Sequence, residues 1–291
     1  MKHIPVLMKD VLWGLEVDPA GVYWDGTFGN GGHSAAILER LSEQGRLISS
    51  DRDPLAQEFA MARFGEDSRF EFLAGTIESV MPGVPDSLNG FLWDLGVSTD
   101  QLVTPERGFS FKNDGPLDMR MDSTQPESAA ELVNRLPENE LADIIYKYGE
   151  ERFSRRIARM VVEARGREPI TTTQALAEIC RRVYPRKYHR IDPATRTFQA
   201  LRIAVNDELG QLERCLPLAL RKLAPGGRAV VISFHSLEDR IVKHCFRGLA
   251  KAGEFQILTK RPLVADETEC LENPAARSAK LRVIQRKEEA A

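Results

Sequence analysis

Apolar positions along the first hundred residues alternate between short runs and helix-spaced sets, the pattern of β-α-β units that build a parallel sheet. Gly21 to Asp25 reads as a first strand, Arg46 to Ser50 as a second, Phe70 to Ala74 as a third and Gly90 to Leu95 as a fourth. Between them, Ser34 to Glu43 carries Ala35, Ile37, Leu38 and Leu41 at helical spacing behind a glycine cluster, and Pro54 to Phe64 reads as another helix. After Gly96 the rhythm breaks. From about Val103 to Arg190 a turn-rich stretch, Arg107 to Asp122, is followed by helical segments without a convincing strand, so an inserted helical domain is expected. The α/β pattern resumes with a long helix from Thr197 to Leu223, closed by Ala224-Pro225-Gly226-Gly227, and a strand from Arg228 to Phe234. Ser236-Leu237-Glu238-Asp239 has the form of a capping box opening a helix through Ala250, and Phe255 to Thr259 with Lys280 to Gln285 completes the sheet as a hairpin. The expected fold is α/β and doubly wound, with core parts at 1–102 and 191–291 around a helical insertion at 103–190.

Composition excludes several classes. With 42% apolar and 29% charged residues the chain is an ordinary globular one, and no apolar run nears the ~20 residues a membrane span needs. The beginning of the chain lacks the apolar stretch and cleavage site of a signal peptide. Cys180, Cys215, Cys245 and Cys270 lie far apart with no C-x-x-C pair, so neither zinc nor a disulfide framework is expected, and the predicted location is the reducing cytoplasm. The net charge of -3 conceals an asymmetry: Lys147 to Arg202 holds 14 Lys or Arg against 6 Asp or Glu, which predicts one basic face.

The stretch richest in chemistry is Asp25-Gly26-Thr27-Phe28-Gly29-Asn30-Gly31-Gly32-His33-Ser34, between the first strand and the first helix. Glycines there let the backbone approach a ligand at the carboxyl end of a parallel sheet. A dinucleotide loop wants G-x-G-x-x-G/A, and Ser34 stands where the third glycine belongs. An acid just before the glycines, Asp25, repels a pyrophosphate and suits the cationic ammonium and sulfonium of S-adenosylmethionine. Asp51, at the end of the second strand, sits where a carboxylate takes hydrogen bonds from a ribose diol in either cofactor class. His33 by itself is more often a helix-start or packing residue than a ligand, so its main chain carries more weight than its ring.

Trp93-Asp94-Leu95-Gly96-Val97-Ser98-Thr99-Asp100-Gln101 leaves the fourth strand beside the first, at the topological switch point where doubly wound folds bind their reactants. This loop, together with Arg107-Gly108-Phe109-Ser110-Phe111, Gly115-Pro116-Leu117-Asp118-Met119-Arg120-Met121-Asp122, Tyr148-Gly149-Glu150-Glu151-Arg152, Pro193-Ala194-Thr195-Arg196-Thr197-Phe198-Gln199-Ala200 and Ser233-Phe234-His235-Ser236-Leu237-Glu238-Asp239-Arg240, closely resembles the RsmH (MraW) family. The resemblance spans nearly the whole chain. It implies a class I S-adenosylmethionine-dependent methyltransferase fold and methylation of a cytidine at N4 in the decoding region of small-subunit ribosomal RNA.

Carried over residue by residue, the resemblance implies cofactor contacts at Gly31, Gly32, His33, Asp51, Ile77, Asp94 and Gln101, with no metal. Ile77 stands where the family often has phenylalanine, Asn30 and Ala275 where it often has arginine, and Asp100 where it often has proline. Cytosine N4 is a poor nucleophile because its lone pair is delocalised into the ring, so acceptors at the Asp94 turn are expected to draw on its N–H groups. Either the Asp94 carboxylate, as catalytic group, or a backbone carbonyl fills that role. A flipped cytosine could stack on Phe109, Phe111 or Phe234, for each of which core is the more frequent role, and His235 and Ser236 after the fifth strand face the substrate side, where the serine is also explained as a helix cap. Arg155, Arg156, Arg159, Arg181, Arg182, Arg186, Lys187 and Arg190 become phosphate contacts under the same reading. The sequence leaves open the oligomeric state, a homodimer among the options. Two other functions compete: a ribosome-assembly RNA-binding protein without catalysis, and a nicotinamide-dependent oxidoreductase.

Overall fold

In a computed structural model, which describes residues 5–185 and 191–288, the chain divides into two compact units. One comprises residues up to Gly96 together with those from Leu209 onward, the other Val97–Glu208. The first unit is a seven-stranded sheet made of β1 (Val22–Asp25), β2 (Arg46–Asp51), β3 (Phe70–Ala74), β4 (Leu88–Asp94), β5 (Leu223–Ser233), β6 (Phe255–Ile257) and β7 (Lys280–Arg286). The strand order is β3-β2-β1-β4-β5-β7-β6. Strands β1 to β5 run parallel, while β7 is antiparallel to both β5 and β6. The order reverses between β1 and β4, which opens a crevice at the carboxyl ends of those two neighbours.

Central strands covered on both faces carry unbroken apolar runs, and β4 does so with Leu88, Phe91, Leu92 and Trp93 at 0% exposure. Trp24 of β1 meets Trp93 edge-on, with ring centroids 5.6 Å apart, a favoured aromatic geometry. Helices α1 (Met8–Leu15), α2 (Gly32–Leu38), α3 (Pro54–Phe64) and α4 (Ile77–Val80) belong to this unit.

The second unit holds α5 (Thr99–Val103), α6 (Ala129–Arg135), α7 (Glu138–Gly149), α8 (Ser154–Arg165), α9 (Thr173–Val183) and α10 (Thr195–Asn206). Its own core gathers Leu141, Ile145, Ile157, Val161, Leu176, Cys180, Phe198 and Leu201. The chain then enters α11 (Glu208–Arg221), and α12 (Ser236–Ala252) and α13 (Glu267–Glu272) follow in the first unit. Among the described residues no helix is long and apolar enough to cross a membrane, and all four cysteines are free thiols.

Three expectations need correction. The helical unit runs from Val97 to Glu208 rather than from 103 to 190. The apolar face of α10, with Phe198 and Leu201, joins the cluster built by α6 to α9, and a contiguous buried cluster is what defines a unit. The long helix predicted from Thr197 to Leu223 breaks at Asp207, which adopts a left-handed φ of 47°. The capping box that opens α12 sits one residue earlier than the sequence pattern suggests: His235 is the cap and Glu238 the reciprocal partner. Asp239, the predicted partner, instead accepts from Arg282 Nε at 2.7 Å on β7.

Truncating Leu92 at the centre of this sheet leaves a cavity that β4 cannot collapse into. Leu92→Ala is expected to cost about 3 kcal/mol in chemical denaturation.

Candidate functional site

The site is built where β1, β2, β4 and β5 end. Register places Asp25 of β1 opposite Ser49 of β2 and Leu92 of β4, so the turn after β1 emerges between two neighbours. Within it, Gly31 has a φ of 70°, and a Cβ there would lie 2.5 Å from Phe28 Cζ. Only glycine satisfies both demands. Gly31 then precedes α2, with Gly32 and His33 as its first two residues.

Asp25 is 1% exposed, and both its oxygens are engaged inside the turn. Oδ1 accepts from the Thr27 N–H at 3.1 Å and Oδ2 from the Ser34 hydroxyl at 2.6 Å. Asp25 thus braces the loop after β1 through both oxygens. Burial pushes its pKa up to about 6, against the pull of the Ser34 and Thr27 hydrogen bonds. Ser34, which departs from the dinucleotide pattern, thus has a task a glycine could not perform. Its Oγ also lies 2.9 Å from Ser49 Oγ on β2.

Asp51 accepts from the Gly29 N–H at 2.8 Å through Oδ2 and from the Asp53 N–H at 2.9 Å through Oδ1. Each oxygen retains a second lone pair. Burial raises its pKa, the two backbone donors opposing the shift.

Asp94 ends β4, and its N–H donates to Thr27 Oγ1 at 2.6 Å, tying the loop after β1 to the loop after β4. Its carboxyl Oδ1 is buried without a hydrogen-bond partner among the described residues. Burial, then the nearby Asp25 and Glu238 charges, pushes its pKa up to about 8. His33 is buried at 7% exposure. Its Nε2 lies 2.9 Å from the Val6 carbonyl oxygen, which only accepts, so Nε2 carries the hydrogen. Nδ1 is then 3.7 Å from Asp94 Oδ2, beyond hydrogen-bond reach. The ring of His33, given less weight than its main chain on sequence grounds, is what stands between the Val6 segment and Asp94.

The remaining predicted residues are distributed less tightly. Ile77 opens α4 after β3 and packs, partly buried, against the cluster around Trp24 and Phe91. Gln101 belongs to the second unit, where it is buried and its Oε1 accepts from the Ser98 N–H at 3.0 Å in a capping box. Phe109 is core of that unit, and Phe111 packs against Phe198 at 4.7 Å. Phe234 packs, partly buried, in the first unit. Arg155, Arg156 and Arg159 are exposed on α8. Arg181 and Arg182 pair with Asp192 and Glu178, while Arg186, Lys187 and Arg190 lie outside the described residues. Among the described residues no three His, Cys, Asp or Glu are grouped to hold a metal ion.

Sequence reasoning missed Thr27 and, placing His235 on the substrate side without a catalytic role, missed its pairing with Glu238 as the cap of α12. The only prior signal for Thr27 was its place within the glycine turn. Glu238 is 2% exposed, and its Oε2 accepts from the Phe234 and His235 N–H groups at 2.8 and 3.2 Å.

The sequence model of the MraW methylase family matches residues 1–287. A Thioalkalivibrio sulfidiphilus protein named ribosomal RNA small subunit methyltransferase H is 50% identical over 304 residues, covering 98% of this chain and 97% of that one. A protein of the same name from Geobacter sulfurreducens is 52% identical over 309 residues, covering 98% of each. A third, from Stenotrophomonas maltophilia, is 47% identical over 301 residues and covers 98% of this chain and 94% of that one.

The raised pKa of Asp94 makes a directional prediction about stability. Unfolded, its carboxyl ionises near pH ~4; folded, near 8. The folded state therefore holds an extra proton between those values and loses stability as pH rises through them, levelling above the upper one. Asp94→Asn removes that loss, so the variant's advantage in Tm over the parent is expected to grow from pH 4 to pH 8 and then stay constant. Thermal melts in matched buffers check it.

Proposed function

The chain belongs to the MraW methylase family, and on that footing we propose that it methylates N4 of a cytidine in the decoding region of small-subunit ribosomal RNA, using S-adenosylmethionine. The observation that carries this reading is similarity near half-identity, along almost the entire chain, to relatives named ribosomal RNA small subunit methyltransferase H.

The residues of the first unit suit that methyl donor. A buried carboxyl oxygen without a partner, Asp94 Oδ1, matches a cationic or N–H-bearing ligand. Asp51 retains lone pairs for a ribose diol, and Gly31, with its φ of 70°, turns the chain from the loop into α2. Gly31, Gly32, His33, Asp51, Ile77 and Asp94 are assigned to hold it. When bound, S-adenosylmethionine supplies an electrophilic methyl group on sulfur.

The chain's own task is then positional, since in-line displacement needs the acceptor nitrogen held at near-attack distance. Asp94 Oδ1 accepts an N–H of the target amino group, which draws electron density back onto N4 and restores its lone pair. An ionised Asp94 is required, and a cation beside it lowers its pKa from about 8. As the N4–C bond would form and the donor's S–C bond break, the sulfonium charge would be lost, and Asp94, no longer beside that charge, would take the proton that N4 sheds.

Ribosomal RNA is the expected partner and the cytoplasm the expected place. Exposed Arg155, Arg156 and Arg159 are assigned to phosphate contacts, which position RNA without reading its sequence.

Incubation with labelled S-adenosylmethionine and small subunits from cells lacking the enzyme is expected to put label on one cytidine, identified by nucleoside analysis. Tight subunit binding without label favours the non-catalytic assembly role instead. In calorimetry Asp51→Ala is expected to weaken S-adenosylmethionine binding by about tenfold or more, the loss of a charge-assisted pair of hydrogen bonds. Parent affinity is expected to rise with pH through 8, because the bound cation favours ionised Asp94.

A further inference from the structure

Among the described residues, two buried polar atoms at the ends of adjoining parallel strands lack a hydrogen-bond partner. Asp94 Oδ1 follows β4, and His235 Nε2 follows β5. Register pairs Asp94 with Ile232, so His235 lies just past the end of the strand beside it. The His235 side chain is 10% exposed, and a ring nitrogen buried there without an aligned hydrogen bond is costly unless a ligand takes it up.

The hydrogen on that nitrogen is set by the fold. The Glu238 N–H donates to His235 Nδ1 at 3.3 Å as the cap of α12. A neutral ring with Nδ1 accepting must carry its hydrogen on Nε2. Glu238 fixes the ring further: its Oε2 accepts from the His235 N–H, and its Oε1 lies 3.2 Å from Nε2 without the alignment of a hydrogen bond. The ring is therefore an oriented donor, and Nε2 is unable to act as a base.

A donor beside an acceptor is the complement of one kind of base edge. Cytosine presents N4–H as donor and N3 as acceptor, and adenine presents the same pair through N6–H and N1. Uracil and guanine present the reverse order. Resting on the methyltransferase reading above, we infer that His235 is the residue that selects the target base: Nε2–H donates to cytosine N3 while Asp94 Oδ1 accepts from N4–H. The two bonds act in opposite senses on the nucleophile. Donation to N3 draws the amino lone pair into the ring, and acceptance at N4–H returns it, so His235 contributes orientation and discrimination while Asp94 contributes activation. Uracil in the same place brings its own N3–H against Nε2–H and its O4 against Asp94, two repulsive contacts that reject it.

The test pairs a variant with an altered base. Asparagine is a preferred helix cap but is too short to reach where Nε2 stands, so His235→Asn keeps α12 capped and removes the donor. Substrates are small subunits assembled on RNA carrying either cytidine or 3-deazacytidine, which has C–H in place of N3, at the methylated position. For the parent, the deaza substitution is expected to lower kcat/KM by about ten- to a hundredfold. For His235→Asn, the normal subunit is expected to lose the same factor and the deaza subunit nothing more, with Tm and S-adenosylmethionine affinity like the parent's. A variant still sensitive to the deaza base, or one as fast as the parent on normal subunits, overturns the inference alone. A parent that labels no cytidine in either subunit overturns the methyltransferase reading and this inference with it.

Discussion

A carboxylate enclosed by protein has to find its hydrogen-bond donors inside the protein, and Asp25 imposes that demand on the whole carboxyl end of the sheet. Its two acceptor oxygens hold the Thr27 N–H and the Ser34 hydroxyl, which pins the start and the end of the loop between β1 and α2. Thr27, so held, offers its hydroxyl to the Asp94 N–H and fixes the exit of β4. Gly29, inside the same loop, donates to Asp51 at the end of β2. Three strand ends are thereby positioned by one loop, and the loop is positioned by one buried acid.

The cost of this arrangement falls on Asp94. With Asp25 and Glu238 nearby and little water, its charged form is disfavoured and its pKa rises to about 8. A site evolved only for stability would replace such a group with an amide. Functional sites, by contrast, retain groups of perturbed pKa because a charge that is poorly solvated by the protein is well placed to interact with a ligand. Oδ1, without a hydrogen-bond partner among the described residues, is consistent with that reasoning, as is the buried Nε2 of His235 just past the next strand.

Much of the fold was legible from local pattern. Pro54–Phe64 and Phe70–Ala74 appear with the bounds read from apolar spacing, because a proline start and a short apolar run are signals carried within the segment. The capping box of α12 was misplaced by one residue, since Ser236 has the better side chain for a cap and only the pairing of Asp239 with Arg282 on a distant strand removes Asp239 from the box. The break at Asp207 was invisible because no glycine or proline marks it. The helical unit's limits were misjudged for a related reason: which core an amphipathic helix such as α10 joins depends on the partner of its apolar face, which the helix itself does not encode.

The sequence by itself determined the alternation of strands and helices, the glycine turn, the acids at the strand ends and the resemblance that names the chemistry, since each is written in contiguous residues. Tertiary structure alone decided which acid has both oxygens engaged within its loop and which keeps an oxygen without a hydrogen-bond partner among the described residues. Asp25, Asp51 and Asp94 are the same residue type at equivalent strand ends, and what separates them is the set of donors that folding brings to each. Those donors lie 2 to 22 positions away along the chain, and a hydrogen-bond partner at the longer separations is fixed only when strands pair.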